Sequence, residues 1–579
     1  MRCPLNTPAL LALGAMLLAG CSVQSPGQQE APVLAAPEAA PAPAPAAISP
    51  PAPPPPPSPS FSAYASQPTQ SVVVTGSSIS GQHQALRRAP PPGYLVIAPP
   101  QADKFPDKEA NATQLVAEQP VSTFSADVDT ASYAFVRRQL TSGRLPPPQA
   151  VRVEEMVNYF PYRYAAPKAR TEPFAVTTEV MPSPWKTGNQ LLHVAVRGFD
   201  LQQAERPPLN LVLLIDVSGS MQGPDRLPLL QQGLRLFADQ LRENDRVSIV
   251  TYANGTQVAL EPTLGRDKQK IVDALDGLRA AGGTAGGDGL QRAYALAERH
   301  RDPKAVNRVI LATDGDFNIG ITDPKQLERF IADKRKSGVY LSVFGVGTGN
   351  LNDALIQRLT QSGNGNAAYI DSLLEARKAM QEELGSTMFP IANDVKMQVE
   401  FNPRQVAAYR LIGYETRMLA RQDFKDDKVD AGDMGAGHTV IAIYEITPAS
   451  EAGKLVDPLR YGDGKKAAPA GKGDELCFVK VRYKLPGQAT SRETSHAVRA
   501  ASVRKGIDAA PDDARFAVAV AAFGQRLRGE APVADYSYAD IANLANDARG
   551  KDAEGYRAEF VRLVRMAETL GKTGPVGQP

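Results

Sequence analysis

Two hydrophobic rhythms run along this chain, and their alternation predicts its central unit. Residues 211–215, Leu-Val-Leu-Leu-Ile, form an unbroken apolar run. That is the pattern of a strand covered on both faces, as in a parallel sheet. The run ends abruptly in the polar turn Asp216-Val217-Ser218-Gly219-Ser220. From residue 209 to about 385, similar runs alternate with segments whose apolar residues recur at helical spacing. Strands are predicted at 211–215, 246–252, 308–312, 340–346 and 367–370, with an edge strand at 257–260. Helices are predicted at 227–241, 268–278, 289–300, 324–336, 354–360 and 373–384. Strand and helix in turn predict a doubly wound α/β domain within residues 206–388.

The flanks read differently. Residues 111–205 start with helices and continue with strands. Tyr133, Val136 and Leu140 fall at helical spacing, with Asp129 or Thr130 as the cap and Gly143 and Pro146–Pro148 as the stop. Asp127 and Asp129 therefore read as a capped helix start rather than a metal site. A second helix carries Val151, Met156 and Val157. Strands follow at 174–181 and 191–199. Beyond the α/β unit, within residues 389–572, strands are predicted at 395–401, 406–414, 439–444 and 476–483. Helices follow at 515–527, 538–548 and 556–570. The strands before and after the α/β unit are expected to share one β-sandwich, with the α/β unit inserted between β-rich segments.

Residues 1–20 have a basic start, Arg2, and a short apolar core, which is a secretory signal too short to span a bilayer. Residues 21–110 are rich in Pro and Ala, including the run Pro50–Pro57, and favour an extended, disordered linker. A β-prone patch, Ser71–Ser80, interrupts it without clear purpose.

Charge narrows the partners. Lys and Arg number 64 and Asp and Glu 62, so nothing favours nucleic acid. Three cysteines give no disulfide framework, and Cys477 reads as a buried small apolar residue. Five scattered histidines show no zinc spacing. No Gly-x-Ser-x-Gly elbow accompanies Ser218 or Ser220. The glycine-rich run 281–287 lacks the Lys-Ser/Thr ending of a phosphate loop. A hydrolase is therefore disfavoured, and the chain is expected not to be an enzyme.

The candidate chemistry lies where strands end. Asp216, Ser218 and Ser220 place a carboxylate and two hydroxyls at a strand's carboxyl end. Hard oxygen ligands of this kind suit Mg²⁺ or Mn²⁺. In a doubly wound sheet the crevice opens where the winding reverses, and Asp314 ends the other strand at that point. The glycines of 281–287 let the backbone approach closely, and Thr284 among them can supply a third hydroxyl. Asp225 and Asp288 read as helix caps and Asp316 as a turn residue.

Asp216-x-Ser218-x-Ser220, then Thr284, then Asp314 resembles the metal-ion-dependent adhesion site of von Willebrand factor type A (VWA) domains, whose fold is doubly wound and Rossmann-like. The stretches VSTFSADVDTASYAFVRRQL and DFKDDKVDAGDMGAGHTVIAIYEI resemble the flanking domains of a bacterial VWA lipoprotein family, YfbK-like. Leu18-Ala19-Gly20-Cys21 resembles a lipobox, which implies lipidation at Cys21. Ser22 resembles the outer-membrane sorting rule of that class. The resemblance implies that Ser218, Ser220 and Thr284 contact the ion, with Asp216 and Asp314 acting largely through water. It implies a protein partner that offers a carboxylate. The expected product is a membrane-anchored, metal-dependent binding module of the cell envelope. The alternative is an assembly factor whose flanking domains make the contacts.

Overall fold

The computed structural model describes residues 103–106, 108–169, 171–202, 205–283, 288–315, 323–347, 352–383, 388–454 and 473–573. The expected signal and nearly all of the expected linker, with Cys21, lie outside the described residues, as do Thr284 and Asp316.

Before the α/β unit the strands are β1 (Gln114–Leu115), β2 (Val121–Ser125), β3 (Phe174–Pro182) and β4 (Gln190–Gly198). Between β2 and β3 lie helices α1 (Ala131–Thr141) and α2 (Val153–Asn158). The α/β unit contains β5 (Leu209–Asp216), α3 (Leu227–Ala238), β6 (Arg246–Tyr252), β7 (Thr256–Leu264), α4 (Lys268–Asp276) and α5 (Gly289–Arg299). It continues with β8 (Val306–Thr313), α6 (Pro324–Lys336), β9 (Val339–Val346), α7 (Asp353–Ser362), β10 (Ala367–Ile370) and α8 (Leu373–Arg377). After it come β11 (Pro390–Phe401), β12 (Val406–Ile412), β13 (Met434–Gly435), β14 (Thr439–Pro448), β15 (Glu475–Lys484) and β16 (Ser491–Arg499). Three helices close the chain: α9 (Asp512–Arg528), α10 (Tyr538–Asp547) and α11 (Tyr556–Thr573).

The α/β sheet has the order β10-β9-β8-β5-β6-β7. All its pairs are parallel except β6 with β7. Every residue of β5 and β8 is buried, which explains their unbroken apolar runs. Strand β5 lies between β6 and β8, so the winding reverses at the β5–β8 pair. Ile215 faces Ala312 across that pair. This register sets Asp216 beside Thr313, with Asp314 one residue further on.

Segments on both sides of the α/β unit build the sandwich. One sheet runs β1-β12-β14-β4-β3. In the other, β11 pairs with β2, β13 and β15, and β16 lies at the edge. Their facing residues, including Phe124, Val194, Val399 and Tyr444, form one buried core. On the opposite face of the first sheet, Leu191, Ala195, Ile441 and Ile443 pack against α1, α2 and the three closing helices. Helix α1 serves two cores. Tyr133, Val136 and Leu140 face this helical layer, while Ala134 and Phe135 face the α/β sheet.

Several local readings need correction. Asp129 is not the cap of α1; the N-cap is Thr130, with no capping hydrogen bond. Asp129 instead accepts from the Ala367 amide at 2.7 Å and pairs with Arg417 at 2.9 Å. A buried guanidinium outcompetes a local cap for that carboxylate. Asp288 stands at the N-cap of α5 without a capping bond, and Arg226, not Asp225, precedes α3. Strand β16, Ser491–Arg499, was not legible, because an edge strand polar on both faces carries no alternation. Residues 103–106 fall inside the expected linker, yet Phe105 packs edge-on against Phe135 at 4.9 Å. The helix expected at 373–384 stops being α-helical at Arg377 and continues as a π-helix over Lys378–Glu383.

Gly365, in the turn between α7 and β10, shows how tightly the unit is packed. A Cβ there would stand 1.7 Å from the Leu341 carbonyl oxygen. Backbone cannot give way as a flexible side chain would. Gly365→Ala is therefore expected to destabilise the protein by about 3 kcal/mol or more. A thermal midpoint equal to wild type would contradict this packing.

Candidate metal centre

The site is assembled where β5 and β8 end. Asp216, the last residue of β5, is fully buried, and Ser218 is nearly so, whereas Ser220 is exposed. The turn is held from within. The Ser218 amide donates to Asp216 Oδ1 at 2.8 Å, and the Ser218 and Ser220 hydroxyls lie 2.9 Å apart. A short 3₁₀ helix, Gly219–Gln222, carries Ser220 round the curve.

The glycine-rich segment docks on this turn. The Gly219 amide donates to the Gly282 carbonyl at 2.8 Å, and the Ala281 amide donates to the Val217 carbonyl at 2.8 Å. Gly283 N donates to Asn254 Oδ1 at 2.6 Å. Gly282 has φ +82°, and a Cβ there would stand 2.4 Å from Asn254 Nδ2. Glycine is required at this position both for the left-handed backbone and for the close approach. Thr284 follows at once in the chain but lies outside the described residues.

Asp314 is 3% exposed. Arg226 Nη1 stands 3.4 Å from its Oδ2 and also donates to the Ser220 carbonyl. Arg226 thus bridges the two arms of the site. Neither Arg226 nor Asn254 was singled out from the sequence. Asn254, in an Asn-Gly turn after β6, carried a weak turn signal; Arg226 carried none.

Three carboxylate oxygens in this buried pocket, Asp216 Oδ2 and both of Asp314, accept no hydrogen bond of good geometry. Burial pushes the Asp216 carboxyl up to about 6; the charge of Asp314 adds to this, and hydrogen bonds from Ser218 oppose it. Arg226 offsets part of the Asp314 charge, but two buried acids side by side with so few donors stay costly unless a further cation neutralises them. Unsatisfied carboxylate oxygens beside a pair of hydroxyls match the donor set of a small hard divalent ion. Asp216, Ser218, Ser220 and Asp314 therefore fit such an ion. Among the described residues, no three His, Cys, Asp or Glu side chains gather in metal-ligand fashion.

A doubly wound sheet with this oxygen cluster at its switch point defines a VWA-type α/β protein. The family model of the von Willebrand factor type A domain matches residues 211–316, and a second, von Willebrand factor, matches 99–193. The model "Uncharacterized protein YfbK, C-terminal" matches residues 386–570. "Uncharacterized protein YfbK" of Escherichia coli K12 is 44% identical over 478 residues, covering 82% of each chain. The chain belongs to the YfbK family.

More distant curated relatives match about a third of the chain. "Uncharacterized protein sll0103" of Synechocystis is 30% identical over 190 residues, 33% of this chain and 44% of that protein. Inter-alpha-trypsin inhibitor heavy chain H2 of Sus scrofa is 24% identical over 209 residues, 35% of this chain and 22% of that one. Among solved structures, a von Willebrand factor type A protein from Catenulispora acidiphila aligns with TM-score 0.38 and 17% identity, over 68% of this chain and 89% of that one. VWA domains commonly bind a divalent metal and often mediate protein–protein interaction.

Proposed function

We propose that this chain is a non-enzymatic binding protein of the bacterial cell envelope. It is held to the membrane, by this reading the outer membrane, through a lipid on Cys21, and captures a partner protein through a divalent ion, Mg²⁺ or Mn²⁺. The observation that carries the reading is the meeting of Asp216 and Asp314, with their unsatisfied oxygens, at the Ser218–Ser220 hydroxyl pair.

The residues divide the work. Ser218 and Ser220, with Thr284, offer neutral hydroxyls to the ion. Asp216 and Asp314 supply negative charge from behind. The Ser218 amide orients Asp216, and Arg226 ties the Asp314 arm to the Ser220 arm. Asn254 and Gly282 hold the glycine-rich segment against the turn. A divalent ion with neutral ligands stays electrophilic and supplies an open position for a partner's carboxylate. The exposure of Ser220 beside buried Ser218 supports entry of that carboxylate from the Ser220 side.

The test is capture from a membrane extract by the full mature chain, followed by mass spectrometry. A partner is expected to be retained in Mg²⁺ and lost both in EDTA and with Ser218→Ala/Ser220→Ala. Capture indifferent to both treatments rejects the metal-mediated mechanism.

A further inference from the structure

A cavity of about 280 Å³ lies between the α/β unit and the sandwich, lined by residues of β8, the α7–β10 turn, the end of β2 and segments 416–419 and 430–433. Arg308 lies near the start of β8 and Asp314 just past its end, so the cavity is at the end of the sheet away from the metal centre. Ligand sites favour such junctions between structural units.

Most charges around the cavity neutralise one another. Arg417 pairs with Asp127 at 2.6 Å, and Arg335 pairs with Asp430. In the neighbouring acidic loop the buried Lys396 ammonium donates to the carbonyl oxygens of Asp423, at 2.9 Å, and Asp426, at 2.5 Å.

Two groups stay outside this pairing. Arg308 is 2% exposed; its Nη1 donates to Ser342 Oγ at 2.6 Å, and its guanidinium lies over the Tyr340 ring at 5.7 Å. Asp433, contributed by the sandwich side, accepts from Asn364 Nδ2 at 3.0 Å and from the Asp394 amide at 3.3 Å. Among the described residues, neither is in an ion pair. A buried guanidinium and a half-buried carboxyl that feel each other's charge but make no ion-pair contact are costly. Burial accordingly pushes Arg308 down to about 10 and Asp433 up to about 7.

We propose that this cavity binds a small zwitterion of the α-amino acid class, its carboxylate on Arg308 and its ammonium on Asp433. The two charged groups come from different units, so the ligand bridges the α/β unit and the sandwich. The proposal stands independently of the metal centre. One ligand gives each of these unpaired groups a direct ionic contact, which a simple anion or a simple cation cannot do.

The test is a thermal-shift screen of the full mature chain with each common α-amino acid at millimolar concentration, then calorimetry. At least one free amino acid is expected to bind. Its N-acetyl and its amide derivative, each lacking one charge, are expected to bind about ten-fold more weakly or not at all. Arg308→Gln and Asp433→Asn are each expected to cost about ten-fold in affinity. Asp433→Asn keeps the shape of the side chain and one of its two acceptor oxygens, giving up only the hydrogen bond from Asn364 or from the Asp394 amide, so it is the milder change and keeps the test decisive should Arg308→Gln fail to fold. Ser218→Ala/Ser220→Ala is expected to leave amino-acid affinity unchanged. No binding by any free amino acid, equal binding of the blocked forms, or unchanged affinity in Asp433→Asn would overturn the proposal.

Discussion

Ser218→Ala/Ser220→Ala is expected to abolish the stabilisation that divalent ions confer. A site that binds only the folded state adds about 2.7 kcal/mol when the ion stands at one hundred times its dissociation constant. In wild type this appears as a thermal midpoint that rises with Mg²⁺ or Mn²⁺ and falls back in EDTA. The double variant removes the two hydroxyls but leaves the buried carboxylates in place. Its midpoint in EDTA is expected to stay within about 1 kcal/mol of wild type, since Ser220 is exposed and each change deletes a single oxygen. A midpoint that still climbs with Mn²⁺ in the variant would place the ion elsewhere.

The second large effect is expected at Arg137, where the α/β unit meets the helical layer. Arg137 on α1 donates from Nε to Asp371 at 2.9 Å, from Nη2 to Glu375 at 2.8 Å and from Nη1 to Glu559 at 3.2 Å. Tyr159 completes the cluster by donating to Glu375 at 2.7 Å. Asp371 and Glu375 flank the start of α8, and Glu559 lies on α11, so one guanidinium joins three segments distant in sequence. Arg137→Met leaves Asp371 and Glu375 buried without their cation and is expected to cost about 3–5 kcal/mol. Neutralising the orphaned acids as well, with Asp371→Asn and Glu375→Gln, is expected to return more than half of that loss. Thermal midpoints of the single and triple variants decide the matter. A triple variant no more stable than Arg137→Met would show that packing around Arg137, not its charge, holds the junction.

A residue's environment is legible in the sequence where its neighbours in the chain decide it. Strand β6 and helix α6 fall at the expected residues because their apolar periodicity reports burial on one or both faces. Asp216 and Asp314 were placed together by topology alone, since both end strands at the winding reversal. The environment is not legible where tertiary partners override local rules. Of the two caps offered for α1, Thr130 holds the position, whereas Asp129 is the partner of Arg417, 288 positions away. Strand β1 pairs with β12, but its two residues are too few to carry a pattern. Arg226 reaches Asp314 and the Ser220 carbonyl only because α3 begins beside the site, which no motif announces.

The sandwich shows the same division. Its longer strands, such as β3, β4, β11, β12, β14 and β15, were individually readable, and their assembly from both sides of the α/β unit followed from the need to bury two apolar faces. The buried ion pairs that tie the units together were not foreseen, because Arg152 with Asp353, at 2.7 Å, joins residues 201 positions apart.

The most direct measurement is an anomalous difference map from crystals of the full mature chain grown with Mn²⁺. The account predicts one strong peak bounded by the Ser218 and Ser220 hydroxyls and the carboxylates of Asp216 and Asp314, absent from Ser218→Ala/Ser220→Ala crystals. A map without density at that position under saturating Mn²⁺, or with its peak on another set of oxygens, would contradict it.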